Sequence, residues 1–260
     1  MDNRPGGNTI IGTEAVAKAP ADGYTMVLTH VGTMAVNPYM LTNQPYDVNR
    51  DFAPVTLLAK VPNVFVIHPD VPAKDFSEFV AHVKAHPGQL NYGSAGNASA
   101  GHLAMEYLKL VTGMNITHIP YRGTAPAVTD LLGGQVDMMF LPIHVALAHV
   151  KTGRLVALAI GSERRHPLMP ELPTVTETGL GQVNVGMWFG VFAPKGMPPD
   201  QVSALNRDIN QILAGDDVKT AFSTQGMDPA SSSPAEFARL VERDADKWAR
   251  LVKSQGIKPE

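Results

Sequence analysis

Tyr92-Gly93-Ser94-Ala95-Gly96-Asn97-Ala98-Ser99-Ala100-Gly101-His102-Leu103 joins a β-rich run to a helix-forming one. Upstream, Leu90 to Ser94 reads as a short strand; downstream, Leu103, Tyr107, Leu108 and Val111 recur at helical spacing until Gly113 stops the run. A strand that turns through small residues into a helix is the repeating step of an α/β domain. Gly93, Gly96 and Gly101 permit close backbone approach and positive φ, while Ser94, Asn97 and Ser99 bring short polar groups that leave the space open. Ser99 is placed to cap the helix. The N–H groups that follow it, with the positive end of the helix dipole, suit a carboxylate or phosphate. The same residues also fit a tight turn whose serine only caps. Neither a complete G-x-G-x-x-G nor the Lys and Ser/Thr ending of a phosphate loop is present, so no nucleotide is implied.

Working outward, Tyr24 to Thr29 and Val61 to His68 read as strands, the second interrupted near its start by Pro62. Ala73 to His86 reads as a helix: Asp75 and Glu78 have capping-box spacing, and Phe76, Phe79, Val80 and Val83 share a face. Strands at Ile116 to Pro120, Val136 to Leu141 and Leu155 to Ile160 alternate with helices carrying Val128, Leu131 and Leu132, then Leu147 and Val150. This alternation predicts a largely parallel sheet. After Gly161 the periodicity lapses until the aromatic strand Met187 to Phe192. Two amphipathic helices close the chain, one following Pro198-Pro199 and one with Ser233 as N-cap, Pro234 at N1 and Glu236 at N3. Phe65 to His68 and Phe189 to Ala193 stand as crossings between lobes. That division gives a discontinuous first lobe, residues 1–66 and 190–260, and a second lobe, residues 67–189.

Composition narrows the function. The chain has 260 residues, 44% of them hydrophobic, enough for one large core or two modest ones. With 21 basic against 24 acidic residues, the formal charge of −3 offers no field for a polyanionic backbone, and nucleic acid is not an expected partner. The lack of cysteine removes thiolate nucleophiles and thiolate metal sites. There is no apolar run of about 18 residues, so no direct membrane insertion is expected. Met1-Asp2-Asn3-Arg4-Pro5 is neither a signal peptide nor a first strand, and the start reads as abrupt.

A second loop, Thr29-His30-Val31-Gly32-Thr33-Met34, also follows a strand, where ligands collect in open α/β sheets. Thr29 and Thr33 could donate from the first lobe, with Thr33 as a helix cap the structural alternative. The histidines are dispersed. His82 and His86 have i, i+4 spacing without an H-E-x-x-H arrangement, and no metal is assigned. His102 and His118 are read as packing or local hydrogen bonding. Asp130 and Asp137 have no evident carboxylate partner, and Ser94 with His102 lacks a G-x-S-x-G elbow. The expected catalytic set is therefore empty and no cofactor is implied. Trp188 reads equally as core or as a cleft-lining ring, and His68, Trp188 and Phe189 are grouped as cleft or hinge residues.

Taken in order, several pieces carry a family resemblance: Asn3-Arg4-Pro5-Gly6, Ile11-Gly12, Asp22-Gly23-Tyr24, Asn37-Pro38, Asp51-Phe52-Ala53-Pro54, Asn91 to Gly96, His102-Leu103, Pro120-Tyr121-Arg122-Gly123, Asp130 to Gly134 and Trp188-Phe189-Gly190. Across essentially its whole length the chain resembles the extracytoplasmic solute-binding proteins of tripartite tricarboxylate transporters, the Bug family with its TctC type. The resemblance implies a type II periplasmic-binding-protein fold, two α/β lobes joined by two crossing strands. It also implies a mono- or dicarboxylate enclosed between the lobes, a periplasmic location and membrane transporter subunits as partners. On this chain the ligand loops it implies are Thr29, His30 and Thr33 in the first lobe and Ser94, Gly96, Asn97, Ala98 and Ser99 in the second. Family chains carry an export signal, a first strand, a ligand loop and a first helix ahead of the segment matching Asn3. The first lobe is therefore expected to lack its amino-terminal strand and helix. Behind the transport reading stand a ligand-sensing partner of a signalling receptor, a hydrolase and a defective binding fragment.

Overall fold

A computed structural model describes residues 1–4, 9–41, 43–97, 99–180 and 183–255. The elements run α1 (Ile10–Ala17), β1 (Val27–His30), a π-helical turn (Gly32–Val36), α2 (Asn37–Met40), α3 (Val48–Asp51) and β2 (Phe52–Val61). There follow β3 (Asn63–Ile67), α4 (Phe76–Ala85), β4 (Asn91–Ser94), α5 (Ala100–Thr112), β5 (Thr117–Pro120), α6 (Thr124–Leu132), β6 (Met138–Pro142), α7 (Ile143–Lys151) and β7 (Val156–Ile160). The chain ends with β8 (Met187–Pro194), α8 (Pro199–Leu213), α9 (Asp216–Thr224), β9 (Asp228–Pro229) and α10 (Pro234–Gln255). Two units result: Met1–Lys60 with Trp188–Glu260, and Val61–Met187.

The changes of unit fall earlier than the breaks read from sequence. β2 ends at Val61, Pro62 interrupts, and all five residues of β3 then pair with β6 inside the second unit. Phe65 to Ile67 is therefore interior to that unit's sheet and not a crossing. The return comes at Trp188, at the start of β8 and ahead of Phe189 to Ala193.

In the second unit the strand order is β5-β4-β6-β3-β7. β4 pairs parallel with β5 and β6, whereas β3 pairs antiparallel with β6 and β7. β6 and β7, both opposed to β3, therefore run the same way. This corrects the largely parallel expectation. The strand and helix repeat does make β4 to β7 mutually parallel, but β3 arrives from the other unit and inserts between β6 and β7 in the opposite sense. Periodicity reports that strands exist, not which of them become neighbours.

All of β3 is buried, as a strand covered on both faces should be. Val64 and Val66 join Leu131, Leu141 and Ile143 in one core layer. On the other side of the alternation Phe65 meets Phe76 and Phe79 of α4 at ring separations of 5.5 and 4.9 Å, and Phe140 of β6 at 5.3 Å. α4 starts where it does because Asp75 Oδ1 accepts the Glu78 N–H at 2.8 Å and Glu78 Oε2 accepts the Lys74 N–H at 2.9 Å. That fixes its first turn and presents the Phe76, Phe79, Val80 and Val83 face to the sheet.

The first unit has the order β1-β8-β2-β9, with β1 antiparallel to β8 and β2 antiparallel to β9. Its β1 is shorter than the expected Tyr24 to Thr29 run: Tyr24 is 90% exposed, and its N–H is taken by Asp22 Oδ1 in a turn. Trp188, Phe192 and Phe237 form its aromatic core. The capping box of α10 forms as the spacing requires, with Ser233 Oγ accepting the Glu236 N–H at 3.2 Å and Glu236 Oε2 accepting the Ser233 N–H at 2.9 Å.

Candidate functional site

β4 and β5 end level with each other, Ser94 opposite Pro120, and both run parallel to β6. Each of the three leads directly into a helix. α5 follows the Ser94 to Ser99 turn, α6 follows Tyr121 to Gly123, and α7 follows Pro142 without a loop. One edge of the second unit's sheet thus collects three helix N-termini and their positive dipole ends. The three are not equivalent. The first N–H of α7 donates to the Pro62 carbonyl at 3.1 Å, and α6 has Pro126 in its first turn. In α5 the His102 N–H is taken by Ser99 Oγ, while the Ala100 and Gly101 N–H groups by helix geometry have no acceptor in their own helix.

The turn before α5 is built by a closed set of bonds. Ser94 Oγ accepts the Gly96 N–H at 3.1 Å and lies 3.0 Å from the Gly96 carbonyl oxygen, which it can donate to. That carbonyl in turn accepts the Ser99 N–H at 3.2 Å. Gly96 sits at φ +122°, where a side chain would be strained, and an added Cβ would stand 3.2 Å from the Tyr121 carbonyl oxygen. Gly101 answers a different demand: its Cβ would lie 2.9 Å from the Phe140 carbonyl oxygen, so only glycine lets α5 approach β6 this closely. Ser99 caps α5 as expected, its Oγ accepting the His102 N–H at 3.4 Å.

A second turn, not assigned to the site from sequence, braces the first. The Tyr121 N–H donates to the Ser94 carbonyl at 3.0 Å and the Gly123 N–H to the Ala95 carbonyl at 3.2 Å. Tyr121 is held by donating its hydroxyl to Asp130 at 2.7 Å, and burial followed by that carboxylate pushes its pKa up to about 12. Arg122, exposed, lies within this turn and adds a cationic residue to it. The signal was the Pro120-Tyr121-Arg122-Gly123 run, which like the first turn leads from a strand into a helix.

Behind the turn stands a row of aromatic rings. His118 stacks on His102 at 4.1 Å and on Tyr92 at 4.7 Å, and its Nε2 is 2.6 Å from Ser94 Oγ. Tyr92 donates to Glu106 Oε1 at 2.5 Å, and the same carboxylate receives Lys109 Nζ at 2.7 Å. Burial, then Glu106, raises the Tyr92 pKa. Burial, then the neighbouring His102, lowers that of His118 to about 4, so its imidazole is neutral at ordinary pH.

The predicted site residues sort unevenly. Ser94, Gly96 and Ser99 form one turn with exposed Asn97, while Ala98 lies outside the described residues. Ser94 is wholly buried with its hydroxyl committed to Gly96 and His118, so it shapes the turn and is not a free ligand donor. In the first unit, Thr29 Oγ1 is buried and finds no hydrogen-bond partner among the described residues. His30 Nδ1 accepts the Gly32 N–H at 3.0 Å, and burial lowers its pKa, which leaves the neutral ring with its proton on Nε2. Thr33 neither caps nor faces outward: its hydroxyl pairs with that of Thr9, and Val31 occupies the cap position of the following turn.

The three cleft or hinge residues separate, and among them Trp188 stands at a change of unit. His68 follows β3, which is opposed to β4 and β6, so it lies at the other end of the sheet, its N–H on the Asp137 carbonyl at 2.8 Å. Trp188 is core, 3% exposed. Phe189 pairs with His30 across β8 and β1 and meets its ring edge-on at 5.9 Å.

Comparison with known proteins gives a consistent result. The family described as "Tripartite tricarboxylate transporter family receptor" matches residues 1–257. Protein BugT of Bordetella pertussis is 37% identical over 99% of this chain and 79% of its own length. Among solved structures, R. palustris Rpa4515 with adipate is 33% identical with a TM-score of 0.89, covering 100% of this chain and 87% of that one. MatC (Rpa3494) from Rhodopseudomonas palustris with bound malate is 32% identical with a TM-score of 0.81, covering 95% and 85%.

Proposed function

The chain belongs to the tripartite tricarboxylate transporter receptor family, and from that premise we propose that it captures a small mono- or dicarboxylate, one carboxyl group of which rests on the Ser94 to Ser99 turn. It is a solute-binding protein with the type II periplasmic-binding fold, not an enzyme. The observation that carries the ligand reading is the turn itself, a bonded loop of small residues opening onto the amino end of α5 at an edge where three helices begin. Related proteins of the same fold hold adipate and malate, both dicarboxylates.

In this reading the first-turn amides of α5 and the side chains of Asn97 and Ser99 meet the carboxylate. Each well-made charge-assisted bond is worth about 1.5–3 kcal/mol. Ser94 and Gly96 hold the shape. In the first unit, taken by itself, the Thr29 hydroxyl, which has no partner among the described residues, and the His30 Nε2–H are further donors a ligand could use. The protein works in the periplasm and hands its ligand to membrane transporter subunits of the tripartite system.

Calorimetric titration with adipate, malate and matched monocarboxylates tests the reading. Saturable binding of at least one carboxylate, and none of the corresponding uncharged amides, is expected. A panel that shows no saturable binding overturns it.

A further inference from the structure

His118 touches the ligand turn from behind. It sits on β5 in register with Tyr92 of β4, and its ring lies nearly parallel to both Tyr92 and His102, at interplanar angles of 19° and 11°. Two elements, β4 and α5, thus fix the ring plane before any polar contact is made. Its Nε2 then meets the only hydroxyl of the turn that is wholly buried, Ser94 Oγ, at 2.6 Å.

The proton count explains what this contact does. Ser94 Oγ carries one hydrogen and two lone pairs, and one lone pair already accepts the Gly96 N–H. If the imidazole proton is on Nδ1, the hydroxyl donates to Nε2. If it is on Nε2, the ring donates to Oγ and the hydroxyl proton goes to the Gly96 carbonyl, 3.0 Å away. In both tautomers His118 removes the freedom of the Ser94 rotor and leaves Oγ as the acceptor that holds Gly96 in its positive-φ conformation. Gly96 passes the constraint on, because its carbonyl anchors the Ser99 N–H ahead of α5.

We propose that His118 is a positioning residue of the ligand turn: through the Ser94 hydroxyl it sets the Gly96 to Ser99 backbone that receives the carboxylate. The inference rests on the reading of that turn as the ligand site. The charged neighbours favour a neutral ring in this role. His102 and Lys109 of α5 oppose a charge on it, and the carboxylate that would favour one, Glu106, is already engaged by Lys109 and by the Tyr92 hydroxyl from β4.

The test uses the full chain and the variants His118→Phe, His118→Gln, Ser94→Ala and the double variant His118→Phe with Ser94→Ala. Phenylalanine keeps a stacking ring and removes the nitrogen, while glutamine places an amide near the Nε2 position. Amide hydrogen exchange at Gly96 and Ser99 is read in ligand-free protein by NMR, and affinity for adipate and malate by calorimetry. Exchange at both amides is expected to quicken about tenfold in His118→Phe and in Ser94→Ala, on the scale of one lost hydrogen bond, and to return towards wild type in His118→Gln. Affinity follows the same order, and the double variant is no weaker than the weaker single, as expected for residues acting through one bond. Unchanged exchange in folded His118→Phe, or no recovery in His118→Gln, overturns the inference. If His118→Phe does not fold, Ser94→Ala and His118→Gln supply the same readout, and equal exchange in those two and wild type overturns it. Wild-type protein that binds no carboxylate, with the exchange pattern intact, removes the ligand reading and leaves the positioning role standing.

Discussion

Trp188 Nε1 donates to Asp244 Oδ2 at 2.8 Å, tying the start of β8 to the middle of α10. Both side chains are buried, and the indole packs edge-on against Phe237 at 5.2 Å. Trp188→Phe keeps most of the packing and leaves a buried carboxylate oxygen without its donor. The expected cost is about 1–3 kcal/mol, seen as a lower urea midpoint at unchanged slope, with carboxylate affinity held within twofold. Loss of affinity at unchanged stability would restore the ligand-lining reading of this residue.

Ser99 offers a way to separate anion binding from helix capping. Aspartate caps as well as serine does, so Ser99→Asp should leave the melting temperature close to wild type. A carboxylate placed at the proposed anion position repels another, and affinity for adipate or malate should fall at least tenfold. Ser99→Ala should do the reverse in emphasis, costing about 1 kcal/mol of stability with a smaller loss of affinity. Binding that survives Ser99→Asp unchanged moves the ligand elsewhere.

The depressed His118 pKa sets a pH dependence of stability. Its ordinary value is 6.5 and its folded value about 4. Between those values the unfolded chain takes up a proton that the folded chain refuses. Stability therefore falls as pH drops through this window, and this residue has no effect on the slope above it. His30, also lowered by burial, acts in the same direction. Chemical denaturation of wild type and His118→Gln at pH 7 and pH 4 should show the wild type losing more over the interval. Equal losses would mean that His118 titrates normally.

What could be read in the sequence was what local chemistry determines. The Ser99 cap and the Ser233 to Glu236 box involve partners three residues apart, and both form where the spacing placed them. β2 was missed because Pro54 and Lys60 break the appearance of a strand, although neither prevents one in this sheet. The reversed β3 and the Ser94 pairing with His118 depend on which strands become neighbours. A histidine alternating in a short strand carries no mark of the serine it will meet 24 residues away. From sequence Trp188 reads equally as core or cleft lining for a related reason, since its partner Asp244 is on a helix 56 positions later.

Gly96 and Gly113 give the last prediction, because both have positive φ, +122° and +72°, but different surroundings. At Gly113, which ends α5, an added Cβ meets nothing within 4 Å. Gly113→Ala should therefore cost only the left-handed backbone penalty, about 1–2 kcal/mol, with carboxylate affinity unchanged. At Gly96 the added methyl stands 3.2 Å from the Tyr121 carbonyl and the residue carries the bonds that close the turn. Gly96→Ala must either push the Tyr121 turn away or give up the Ser94 bond. Its stability cost should be about 1–3 kcal/mol, and affinity should fall more than tenfold, measured by calorimetry beside Gly113→Ala. Equal affinity in the two variants would show that the turn's shape does not govern binding.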